Sequence, residues 1–473
     1  MCDLIEGPLS LMEFEAISYS WGVALRPYTI KVNGKPFYIG YNLYSALKKL
    51  RNTDHERLLW ADAMCINQHN YKEKSNQVQM MQDIFSKASN VVVWLGKSDS
   101  ATSPTFEFIR QFGAARTEEM DILWENHITG PTWKRMQAEY VRIFEHNWWS
   151  RAWVVEEVVV GRHVVMQCGS FQAEWEAIHK LFTYRPFANN EFCDYRPPSK
   201  EVNAEDSNAT LGNLVIRFRL QLATFGSDNI YALLGLLKSN NPSLIKPDYS
   251  KSPDEVFIQF TESCMIHKKN LDILGFASGV ELNGASWFRD WRLTYDEPYT
   301  FKTKRLLNLE PSRPFSASGP IQPMFQIDRG LRVLAVAGCH IDTIKKNWNH
   351  THCWRVEPVD WRTRIKPQQE HSHDDEGRDY RLTVRNACTN IYFFMTKDGR
   401  FGLGPPSLEE GDTIAVLLGG KTPFILRPCV NRRSAKIPSA TYYYKLVGEA
   451  FVDGLMYQDG SLQDDGLRDF LLI

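Results

Sequence analysis

The sequence predicts an α/β N-terminal domain built on a parallel sheet, then a mostly helical middle region, then a β-rich C-terminal region. Three observations carry this. Short apolar runs alternate with segments of helical spacing through the first half. One of those runs, "NVVVWLG", is continuously apolar, as a strand buried on both faces must be. The last third reads as strands punctuated by Asp-Gly and Gly-Gly turns. The regions divide as residues 1–185, 186–310 and 311–473.

Each element follows in order. In "EFEAISYSWG" (13–22), Phe14, Ala16 and Ile17 suit a short buried strand, with Ser18, Tyr19, Ser20 and Trp21 at its C-terminal end. "YTIKVNGKPFYIG" is a hairpin turning at Asn33-Gly34. "YNLYSALKKLR" puts Leu43, Ala46, Leu47 and Leu50 on one helical face, and "RLLWADAMCIN" reads as a second apolar strand ending in polar residues. "NYKEKSNQVQMMQDIFSKAS" sets Val78, Met81, Ile84, Phe85 and Ala88 at helical spacing before "NVVVWLG". Strand, helix, strand, helix, strand is the pattern of parallel strands joined by crossover helices.

Residues 103–160 then read as helices and "RHVVMQCG" as a further strand. "DNIYALLGLL" and "SPDEVFIQFTESCMIHKKN" are the clearest helical pieces of the middle region. "PQQEHSHDDEGRDY", near 366–380, is charged and aperiodic and reads as an exposed, disordered loop. Beyond it the β pattern turns at Asp398-Gly399 and Gly419-Gly420.

Composition narrows the function classes. The 473 residues carry a formal charge of -1, so no bulk field recruits nucleic acid. Nine cysteines without a CxxC pair fit a reduced, cytoplasmic setting, and no apolar run is long enough for a membrane span. Fourteen tryptophans favour aromatic-lined packing or pockets. "VLLGGKT" fails as a phosphate loop because Ala415 stands where a glycine is required. His350, His352, Cys353, His371 and His373 are loosely spaced on loop-like flanks, so no metal is expected. With no GxSxG, no HExxH and no GxGxxG after a strand, the common hydrolase, metalloprotease and dinucleotide-cofactor signatures are missing. No bound cofactor is expected.

Three polar stretches remain at predicted strand ends. The first is Ser18, Tyr19, Trp21 and Gly22; the second is Trp60, Asp62, Cys65, Asn67 and Gln68; the third is Arg151, Trp153, Glu156 and Glu157. In a parallel sheet the first two converge at one edge, and a helix starting near Trp153 brings in the third. Structural roles compete. Asp62 and Asn67 also suit caps, the two glutamates a helix first turn, and Cys65 a small buried hydrophobe.

"FEAISYSWG", "LWADAMCINQ", "EKSNQVQMMQDIFSKASNVVVWLG" and "RAWVVEEV" resemble, in order, the signature blocks of the fungal HET (heterokaryon incompatibility) domain. "DNIYALLGL", "IKPDYS", "SWFRDW", "GRFGLGP" and "YKLVGEAFVDGLM" resemble the region that follows it, so the likeness spans nearly the whole chain. HET domains are similar to TIR domains, which implies a flavodoxin-like core. In NAD-cleaving TIR enzymes a Glu lies four residues after a Trp, the position of Glu157 after Trp153, although Val154 replaces the expected Cys. Glu156 stands where Gln is usual, Phe288-Arg289 where Val-Pro is usual, and only thirteen residues precede Phe14.

The resemblance implies an incompatibility or cell-death effector that could cleave NAD, with Glu157 as the catalytic carboxylate; Glu156 and Asp62, from the same strand-end stretches, are the further catalytic candidates. Ser18, Tyr19, Trp21, Cys65, Asn67, Gln68, Arg151 and Trp153 would bind the ligand, Tyr19 and Trp153 by stacking. The alternatives are a cofactor-independent, Diels–Alder-type cyclase of fungal secondary metabolism, orienting its substrate in an apolar aromatic pocket, and a non-catalytic adaptor for a protein partner.

Overall fold

A strand with both faces buried must lie inside a sheet, and β1 (Glu15–Tyr19) is such a strand: Ala16 and Ser18 on one face and Ile17 and Tyr19 on the other are all buried. The computed structural model of the chain describes residues 2–22, 27–52, 54–184, 210–237, 245–277, 285–293, 315–349, 391–429, 442–457 and 466–473. They form two compact units, Met1–Pro253 and Asp254–Ile473.

In the first unit β1 is followed by a separate hairpin, β2 (Tyr28–Val32) and β3 (Lys35–Ile39). Asn33 and Gly34 turn it with φ of 48° and 76°, the pair of positive values a two-residue hairpin turn needs. Helix α1 (Tyr41–Leu50) buries Leu43, Ala46 and Leu50. Strand β4 is only Leu59–Trp60, because Asp62–Cys65 folds into one helical turn, α2. The extended apolar reading of "RLLWADAMCIN" is therefore corrected. The Asp62 carboxylate takes the Ala63 N–H at 2.7 Å and closes the turn, which ends the strand.

The long helix expected next is two, α3 (Tyr71–Gln79) and α4 (Met81–Lys87), broken at Met80, with Val78, Met81, Ile84 and Phe85 buried. The chain then passes through β5 (Val91–Trp94), α5 (Thr102–Ala114), α6 (Thr117–Thr129), α7 (Trp133–Phe144) and α8 (Val154–Val160). It continues through β6 (Val164–Cys168), β7 (Phe171–Glu174) and α9 (Trp175–Thr183).

The sheet order is β4-β1-β5-β6-β7, parallel except for β7, which folds back against β6. Chain order reverses at β1, which takes β4 on one side and β5 on the other. In open α/β sheets that reversal marks the crevice where ligands bind. Ala16, Val91 and Val93 face a core with Phe85, Trp148, Val154 and Val158. Ile17, Tyr19, Val92 and Trp94 face the other core, with Leu43, Ala46 and Ala61. After α9 the described parts of this unit include the helices Leu211–Arg217 and Asp228–Tyr231 and the 3-10 turn Leu234–Leu236.

The second unit begins with the sixteen-residue helix Pro253–Lys268 and is otherwise mainly β. Its strands are β8 (Phe325–Asp328), β9 (Val333–Asn349), β10 (Tyr392–Thr396), β11 (Phe401–Gly404), β12 (Thr413–Leu417), β13 (Phe424–Cys429), β14 (Tyr443–Glu449), β15 (Phe451–Val452) and β16 (Leu467–Leu472). The seventeen-residue β9 pairs with both β16 and β12, so the run β12-β13-β14-β16-β9 closes on itself as a small barrel. Closure gives each of these five strands a neighbour on both sides. Every residue of β12 is buried, and "VLLGGKT" is the turn into β13, with Gly419 at φ 83°. The expected loop near 366–380 and the residues His350, His352, Cys353, His371 and His373 lie outside the described residues.

Candidate functional site

Strands β1 and β4 are parallel neighbours, so Ser20–Gly22 and Ala61–Cys65 leave the sheet at the same edge. Helix α8 feeds β6 as a crossover helix, so it runs against the strands and its first turn lies at that edge too. The pleat then sends successive β1 side chains to opposite faces: Ser18 towards α8, Tyr19 away from it.

On the α8 face, Trp148 Nε1 donates to Ser18 Oγ at 2.7 Å, and the Ser18 hydroxyl donates to the Glu157 carboxylate. Arg151 reaches the same carboxylate from 3.4 and 3.5 Å, looser than the ~2.8 Å of a tight charge-assisted pair. Ser18 and Glu157 are buried, with 1% and 3% of their surface exposed. Burial pushes the Glu157 pKa above the usual carboxylate range; the Asp62 charge pushes the same way, while Arg151 and the Ser18 hydrogen bond pull against it.

On the other face, Tyr19 Oη and Trp21 Nε1 each donate to the Asp62 carboxylate at 2.8 Å. The Gln68 side-chain amide donates to the Asp62 carbonyl at 3.2 Å. Burial and the Asp62 charge hold the Tyr19 hydroxyl protonated well above its ordinary pKa. Trp21 keeps 36% of its surface exposed. The two groups feel each other around the end of β1: Asp62 acts on Glu157, and Arg151 acts on Tyr19.

The remaining sequence candidates sit in other settings. Asn67 builds a turn, its N–H donating to Glu73 and its side chain accepting from the His69 N–H. Cys65 is half-buried, and burial raises its thiol pKa, which keeps it a thiol at neutral pH. Glu156 is buried where Gly235 and Gln82 approach it. Burial, then repulsion from Glu157, raises its pKa well above the usual value. Trp153 donates its indole N–H to Asp228 at 3.0 Å.

Sequence reasoning passed over Trp148, although it stands in "NWWS" just before Arg151, and Asp228, 75 residues from its partner. Among the described residues no group of three or more His, Cys, Asp or Glu could hold a metal, and no helix is long and apolar enough to cross a membrane.

Residues 14–157 match the family Heterokaryon incompatibility protein (HET), and residues 341–473 match the Het-6 beta-barrel domain. Heterokaryon incompatibility protein 6, OR allele, of Neurospora crassa is 24% identical, over 100% of this chain and 93% of that protein. No solved structure matches the chain.

Proposed function

The chain belongs to the fungal HET (heterokaryon incompatibility) family, and from that premise we propose that it is an incompatibility effector that cleaves NAD. The bond broken is the one between nicotinamide and ribose. Water adds to the ribose carbon, giving nicotinamide, ADP-ribose and one proton. Positive charge develops on the ribose as nicotinamide leaves, and Glu157 is the group that stabilises it. The observation that carries this reading is a buried carboxylate at the sheet's reversal edge, held by one hydroxyl and a loose guanidinium. Charge in so dry a place acts strongly on a developing cation. Trp21, pinned by Asp62 and partly exposed, offers a ring face to the nicotinamide.

A cyclase working by orientation would need an apolar cradle. The groups around the end of β1 are two carboxylates, a guanidinium, two indole N–H groups and two hydroxyls, which favours the electrostatic reading.

The test in cells is inducible expression in a fungal host. NAD content should fall before viability does. Death with NAD undiminished would overturn the NAD step, and neither effect would favour an adaptor. A pH profile adds a second check. Glu157 works as the anion, and burial raises its pKa above 4.5. The rate should therefore climb with pH along a limb centred above 4.5. A limb centred at or below that value would assign the titration to another group.

A further inference from the structure

Helix α8 has seven residues and no side-chain cap at its N-terminus, where Trp153 stands. So short a helix has little stability of its own, and its place is set by tertiary contacts. Part of that support comes from before residue 157, through Ser18 and the core around Phe85 and Trp148, and part from beyond it, where the HET match ends. The Asp228 carboxylate accepts the Trp153 indole N–H at 3.0 Å on one oxygen and the Tyr249 hydroxyl on the other. The backbone of Leu222 bonds to Ser150 and Ala152 on either side of Arg151. Gly235 lies so close to α8 that a Cβ there would come within 1.9 Å of Glu156 Oε1.

Asp228 is 5% exposed, and its charge has an unusual counterpart. Lys74, also 5% exposed, has no carboxylate of a described residue within ion-pair distance. Its ammonium lies over two ring faces, 3.3 Å from the Phe225 centroid and 4.2 Å from that of Tyr249. Tyr249 therefore touches both: its ring lies under the cation and its hydroxyl is on the anion. Isolated buried charges are expensive, and a cation–π seat plus a nearby carboxylate offsets part of that cost.

We infer that Asp228 is a positioning residue for the candidate site: it anchors the first turn of α8, and with it Arg151 and Glu157, with Lys74 as its buried counter-charge. Trp153 links Asp228 to the site. It lies between Arg151 and Glu157 in the chain, so a shift of its indole moves both ends of their pair. Burial raises the Asp228 pKa, whereas its hydrogen bonds to Tyr249 and Trp153 and the charges of Lys74 and Arg151 lower it, in keeping with this role. Lys74 mirrors it: burial lowers its pKa, and Asp228 and then Asp62 raise it. The inference rests on Glu157 as the working group of the site, and not on NAD as the substrate.

The experiment combines amide hydrogen exchange with NAD turnover on the full chain. Asp228→Asn removes the charge that faces Lys74 and leaves one acceptor oxygen, so the Trp153 indole and the Tyr249 hydroxyl can no longer each donate to a carboxylate oxygen. With the anchor weakened in this way, exchange across 154–160 should quicken roughly tenfold or more. Exchange in α1 should stay as in wild type. Turnover should fall in kcat, with KM within about twofold, because the change displaces Glu157 and leaves Trp21 in place. Tyr249→Phe should do the same more weakly and serves if Asp228→Asn fails to fold. Lys74→Met should resemble Asp228→Asn, and Lys74→Arg should keep wild-type exchange. Unchanged exchange over 154–160 in folded Asp228→Asn and Tyr249→Phe would overturn the inference. Unchanged exchange in Lys74→Met alone would remove the counter-charge from it. If wild type consumes no NAD, the proposed reaction fails, and the exchange data still decide the role of Asp228.

Discussion

Glu157→Gln is expected to lower NAD consumption by about 10²–10³-fold while leaving the fold intact, the usual loss when a transition-state charge partner is removed. Gln matches the shape and can still accept from Ser18, but it carries no charge to meet the ribose cation. Stability should not suffer. The folded-state pKa of Glu157 is raised by burial, so the stability linked to its protonation is present at low pH and lost as pH rises through that pKa. A neutral amide removes this loss, and at neutral pH the variant should melt at or above the wild-type temperature. A variant that melts lower and loses activity in proportion would point to a structural carboxylate instead.

Trp148→Ala is expected to destabilise the first unit by about 3–5 kcal/mol, the range for emptying a buried aromatic site. Trp148 is fully buried, its ring centroid 5.0 Å from that of Trp149 in edge-on packing. Its indole N–H is also one of the two hydrogen bonds that hold Ser18 between tryptophan and glutamate. Trp148→Phe separates the two roles. It keeps most of the packing and removes the donor, so it should cost about 1–2 kcal/mol and loosen the Ser18–Glu157 contact. Denaturant titration of the three proteins measures this. Equal small losses for both variants would show that Trp148 packs without supporting the site.

The fold was legible wherever burial follows the period of the backbone. β1 and β5 are short and apolar on both faces, and Asn33-Gly34 carries its turn chemistry in two residues. β4 was overestimated because its apolar run continues into α2, and what ends it is the turn that Asp62 closes together with its bonds to Tyr19 and Trp21, two of them made by residues more than forty positions away. β7 had no reading in the sequence; it closes the sheet edge antiparallel to β6 through the two-residue turn at Gly169-Ser170. The polar residues at the ends of β1 and β4 could be gathered from sequence, since parallel neighbours end at a common edge. Asp228 and Tyr249 could not: "DNIY" and "PDYS" stand out only within the family resemblance, and nothing local ties them to Trp153, 75 residues before Asp228. Glu156 and Glu157 look alike in sequence. One residue of helical rotation gives Glu157 to Ser18 and turns Glu156 towards Gly235.

The most direct measurement is the release of nicotinamide from NAD by the purified 473-residue chain, followed over time beside Glu157→Gln at matched concentration and confirmed folding. Wild type should release nicotinamide and ADP-ribose in equal amounts, and the variant neither above background. Wild type that leaves NAD intact, or a variant as fast as wild type, would contradict NAD cleavage through Glu157.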